Sequence, residues 1–127
     1  MRSTVWTSLG IAALILSSAP LYAHEMGEEK GGGDVNIQGE VVDMACYMGH
    51  EAMGPKHKDC AEMCIKNGMP VGLVTKSGEV YLLVEDHTNK DAYQNVKGWA
   101  AEQVKVTGDL HKRGGVQAIV VEKAQKI

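Results

Sequence analysis

Met44, Cys46, Met48, His50, Met53, His57, Cys60, Met63, Cys64 and Met69 fall within 26 residues of a 127-residue chain and include all three of its cysteines. Thiolate, thioether and imidazole are the ligands that soft transition metals prefer. Copper(I) suits the whole set, while zinc is served by the thiolates and imidazoles alone. The same residues also read as a disulfide in a loop with methionines packed around it. Spacing leaves the choice open, because Cys60 and Cys64 are separated by three residues and Cys46 lies 14 positions upstream, which is not a standard zinc signature.

The start of the chain indicates the compartment. Arg2 precedes an apolar run from Val5 to Leu16, and Leu21-Tyr22-Ala23 offers a processing site. Residues 1–23 therefore read as a secretory signal peptide, too short to span a bilayer. The mature chain is expected to be periplasmic or secreted, with no stable membrane insertion after cleavage. Disulfides persist in such a compartment, and a single bridge would leave one of the three thiols over. Residues 24–34, HEMGEEKGGGD, are polar and glycine-rich and read as a flexible tail. Residues 35–127 are expected to form one domain with a Cys/His/Met-rich insertion at 44–69.

The full chain carries 13 basic and 16 acidic side chains; loss of Arg2 with the signal peptide leaves 12 basic side chains and a formal charge of −4. An acidic surface opposes polyanions, and only Tyr47, Tyr81, Tyr93 and Trp99 remain for stacking, so nucleic acid is excluded as a partner.

The elements that must position the soft ligands are mostly strands. Val35 to Met44 is rich in β-branched residues, with Gly39 as a bend or bulge. Val71 to Lys76 and Glu79 to Glu85 flank Ser77-Gly78 as a hairpin. Val104, Val106 and Leu110 alternate with Lys105, Thr107 and Asp109, and the Gly114-Gly115 turn leads to a last strand over Val116 to Glu122. Two short helices are expected. One runs from Cys60 to Lys66, with Asp59 and Glu62 forming a capping box and Asn67-Gly68 ending it; the other spans Ala92 to Lys97, capped by Asp91. The fold class is mainly β: a five-stranded Greek-key barrel like the oligonucleotide/oligosaccharide-binding (OB) fold.

Gln38-Gly39-Glu40-Val41-Val42-Asp43, Val104-Lys105-Val106-Thr107-Gly108 and the ending from Gly114 to Val121 resemble small exported bacterial proteins with an OB-like barrel. The resemblance covers about residues 35 to 123. The insertion resembles that of an uncharacterised subgroup of these proteins, so the likeness implies fold and export and carries no activity.

In this topology the insertion, His87 and His111 are expected to meet at one rim, the part of the fold that usually binds ligands. Cys46, His50, Cys60, Cys64, His87 and His111 are the metal-ligand set this suggests, with copper ahead of zinc. Met63 and Met69 are expected to be core, and His57 a solvated residue between Lys56 and Lys58. If the cysteines are bridged instead, Cys46 pairs more naturally with Cys60 or Cys64 than those two with each other, for a stabilisation of about 3 kcal/mol. No haem attachment, thioredoxin or hydrolytic pattern is present, so the chain reads as non-enzymatic. The expected function is exported metal handling. The alternative is a disulfide-stapled module binding a periplasmic or cell-surface protein or a saccharide, monomeric or weakly oligomeric.

Overall fold

The computed structural model describes residues 32–127. The expected signal peptide and the first part of the expected tail, through residue 31, lie outside the described residues. Five strands form: β1 (Asp34–Asp43), β2 (Val71–Val74), β3 (Val80–Glu85), β4 (Gln103–Arg113) and β5 (Val116–Lys126). They close into a barrel in the order β1-β2-β3-β5-β4, with β3 and β5 parallel and every other pair antiparallel. This is the five-stranded barrel that the sequence pattern indicates.

β1 is long because it serves two seams. Asp34 to Glu40 pair with β4, and Glu40 to Asp43 pair with β2. Gly39 stands just before that change of partner, where a Cβ would lie 2.5 Å from the Val74 carbonyl oxygen. Only glycine lets the strands approach this closely. Gly108 plays the same part at the register shift between Thr107 and Gly108, where the β4–β5 ladder skips Glu122. Val104 and Val106 are fully buried as their alternation indicates. Leu110, beyond the shift, is only half-buried and packs against the core, and Lys105 and Asp109 are likewise half-buried. The interior is otherwise filled by Val41, Leu73, Leu83, Ile119 and Val121.

Among the described residues three helices form where two were expected: α1 (Met44–His50), α2 (Lys58–Lys66) and α3 (Asp91–Lys97), with a 3₁₀ turn over Pro55–His57 leading into α2. α1 buries no residue, so it has no apolar stripe to announce it. Its signal is Asp43, whose carboxylate accepts from the N–H groups of Ala45 at 3.3 Å and Cys46 at 2.9 Å. The expected capping box on α2 does not form. Pro55 starts a turn early, the helix begins at Lys58 with His57 at its N-cap, and no side chain caps it. Asp91 is likewise inside the first turn of α3 rather than capping it. Both acids still lie where the helix dipole favours negative charge. Asn67 and Gly68, the latter at φ 93°, end α2 as expected.

The insertion is tied down at several points. Asp43 pairs with Val71, and Met44 N–H donates to the Pro70 carbonyl at 2.9 Å, so the segment leaves and rejoins the barrel at one place. Glu40, 7% exposed, accepts from the Gly54 N–H and holds the loop between α1 and α2 against β1. Lys58 Nζ reaches Glu102 Oε1 at 2.5 Å. Ala61 and Ile65 anchor α2 in the same core as Ala92 and Val96 of α3. Among the described residues no helix is long and apolar enough to cross a membrane.

Gly39→Ala drives a methyl group into the Val74 carbonyl and is expected to cost about 1–3 kcal/mol, the usual penalty for overpacking. Urea unfolding checks this; an unchanged midpoint would show that the seam between β1 and β2 has slack.

Candidate metal centre

The three cysteines come from two consecutive helices, joined through the loop that Glu40 holds against β1. Cys46 lies in the first turn of α1, held by the bond from its N–H to Asp43. Cys60 lies in the first turn of α2 and Cys64 in the last, where its carbonyl accepts from Asn67 and Met69. Their three Sγ atoms lie within 4.8 Å of one another, and Cys46 Sγ stands 4.0 Å from Cys60 Sγ. All three are free thiols, with no pair at bonding distance.

This separation is close to that of a shared ion. Metal–sulfur bonds of ~2.3 Å give a sulfur–sulfur edge of ~3.8 Å in a tetrahedron and ~4.0 Å in a trigonal plane. The group could hold a metal ion. Cys60 is exposed while Cys46 and Cys64 are half-buried, so the centre opens to solvent at one side.

Asp43 sets the electrostatics. Its carboxylate beside Cys46 is the largest cause that pushes that thiol up to about 12, with burial and the neighbouring thiols adding to it. Cys64 is raised first by burial, with the Asp43 charge and Cys60 acting the same way. Cys46 and Cys64 are therefore protonated near neutral pH until an ion displaces their protons. Once the thiols ionise, carboxylate and thiolates together carry negative charge that a bound metal cation would relieve.

A cleft of about 230 Å³ opens beside the thiols, lined by Asp43, Cys46, His50, Ala52, His57, Cys60 and Ala61. His50 thus lines a cleft with two of the thiols but stands outside the thiol group itself. His57, read as a solvated residue, lines the same cleft while remaining exposed. Asp43 was missed as part of the site. Its signal was present: an acid at the end of a strand run, three residues before a cysteine, is an N-cap position.

His87 and His111 do not join the thiol group. β4 enters beside the cysteine-bearing end of β1, through Glu40 and Gln103, and runs back toward the start of β1, where Asp34 faces Asp109. His111 lies beyond that point, opposite Ala118, and lines a separate cavity with Val84, Arg113 and Val116. The expected meeting of His111 with the cysteines at one rim is therefore corrected by the antiparallel pairing of β4 with β1. His87 sits exposed in the bend between β3 and α3.

The methionines also depart from expectation. Met63 is 64% and Met69 41% exposed, as open as Met48 and Met53 at 69% and 40%. On α2 the buried face is centred on Ala61 and Ile65, roughly 180° from Met63 at 100° per residue. The thiols fall at the edge of that face. Four of the ten soft-ligand side chains are thus solvent-exposed thioethers.

Compared with models of known families and with curated proteins, the chain matches none. Its class follows from its own geometry: a closed five-stranded β-barrel bearing a three-thiol centre on a helical insertion.

Asp43→Asn keeps a capping side chain but removes the charge that raises Cys46. Alkylation of Cys46 at mildly alkaline pH, followed by mass spectrometry, is expected to run several-fold faster in this variant. Equal rates would show that the carboxylate does not control the thiol.

Proposed function

We propose that this is an exported, non-enzymatic metal-handling protein of the OB-like barrel type, with Cys46, Cys60 and Cys64 as the ligands of a copper(I) ion. The observation that carries the reading is the convergence of three thiol sulfurs within 4.8 Å from two separate helices. Copper(I) is favoured over zinc for two reasons. Three sulfurs near the edge of a trigonal plane suit an ion that accepts three soft ligands, and zinc ordinarily takes four, without thioethers. The exposed methionines add soft donors that have no use in a zinc site. Export follows from the signal-peptide pattern at residues 1–23.

The second reading is a disulfide-stapled interaction module that binds a protein or saccharide partner. The 4.0 Å approach of Cys46 to Cys60 supports it, since an oxidising compartment could bridge that pair. The bridge would leave Cys64 as the odd thiol.

Two measurements separate them. A thiol count on protein purified without reductant is expected to give three free thiols with copper present; one free thiol and no metal would establish the module instead. In copper(I) competition titrations of the reduced protein, Cys64→Ser is expected to weaken binding at least tenfold, while His87→Ala and His111→Ala leave it unchanged. Affinity is expected to rise with pH, because the raised thiols must lose protons to bind. Equal affinities for wild type and Cys64→Ser would remove the three-thiol centre.

A further inference from the structure

We propose that the cleft beside the thiols takes a second copper(I) ion, bridged to the first through the Cys46 and Cys60 sulfurs and completed by His50 and His57. This rests on the copper(I) reading of the three-thiol centre and extends it from one ion to two.

The arrangement of the lining carries the inference. Cys64 belongs to the thiol group but not to the cleft, whereas Cys46 and Cys60 belong to both. Two sulfurs are therefore shared between adjoining spaces. A thiolate sulfur that binds one soft ion keeps lone pairs for another, so these two are placed to bridge. Two imidazoles, His50 and His57, line the same cleft, and imidazole is the ligand type that completes a soft site when thiolates run out.

Size and exposure agree. The volume of about 230 Å³ exceeds the ~30 Å³ share of one water many times over, leaving room for an ion and closing rings. Ala52 and Ala61 line the cleft with small side chains that do not obstruct those rings. The imidazoles stand outside the 4.8 Å thiol group, while a sulfur–copper–nitrogen link spans ~4.3 Å, so both must close on loading. Each can do so. His50 ends α1 just before Glu51 turns left-handed at φ 54°, His57 ends the 3₁₀ turn, and both side chains are exposed.

Charge points the same way. Three thiolates around one copper(I) ion leave two uncompensated negative charges, with the Asp43 carboxylate beside them. A second monovalent cation lowers that excess, while a neutral ligand in the cleft would not.

The test is an anaerobic titration of the reduced protein with copper(I) against a chromophoric copper(I) chelator, followed by histidine-selective NMR. Wild type is expected to bind two ions per chain. His50 and His57 ring resonances should shift with the second equivalent and not the first. The double variant H50A/H57A is expected to bind one ion with the first-ion affinity unchanged. Because both histidines are exposed, the barrel should fold in this variant; the NMR shifts in wild type test the proposal independently. One ion in wild type, or two in the double variant, overturns the second site and leaves the three-thiol centre standing. No copper in wild type overturns both.

Discussion

The Asp43 carboxylate is the interaction on which the site depends. It is 1% exposed at the last position of β1, and a carboxylate that dry must have partners. It finds them in the N–H groups of Ala45 and Cys46, which turns the chain from strand into helix within one residue. A single side chain therefore ends β1, starts α1, orients Cys46 and raises the thiol it has oriented. Binding chemistry and local folding are not separable at this position.

Preorganisation follows from how the insertion is closed. The ladder between Asp43 and Val71 and the bond from Met44 to the Pro70 carbonyl bring both ends of a long loop to one place. Glu40 holds the middle through Gly54, and Ala61 with Ile65 buries α2 in the core shared with α3. With both ends, the middle and one helix face held, the thiols meet before any ion arrives. Little ordering entropy would then remain to oppose the binding of an ion, which is how a small site can gain affinity from its scaffold.

The cost of that anchoring is visible on α2. Nine residues offer one face to the core, and Ala61 and Ile65 occupy it, so Met63 is turned outward. An unbranched thioether tolerates exposure better than a leucine would and remains available to soft ions and to adaptable contacts. The barrel spends its apolar burial on valine, leucine and isoleucine and leaves its methionines on the insertion.

The barrel was largely legible in the sequence because strand alternation is a local signal. Val104 and Val106 are buried, a turn from Thr75 to Gly78 closes the hairpin around the expected Ser77-Gly78, and Gly39 lies where two strands crowd. The soft-ligand cluster was legible as composition. What sequence did not reveal was α1, which buries nothing and so has no periodicity, and the start of α2, where Pro55 nucleates a turn ahead of the cap that Asp59 seemed suited to form. Nor could local pattern decide which histidines accompany the cysteines. His50 and His57 line the cleft because they flank the loop that Glu40 pins, and His111 is carried away because β4 runs antiparallel to β1. Residue types and strand periods are written in neighbouring positions, so the sequence by itself determined the ligand chemistry and the barrel. Strand pairing joins residues far apart in the chain, so only the tertiary structure decided which of those ligands meet.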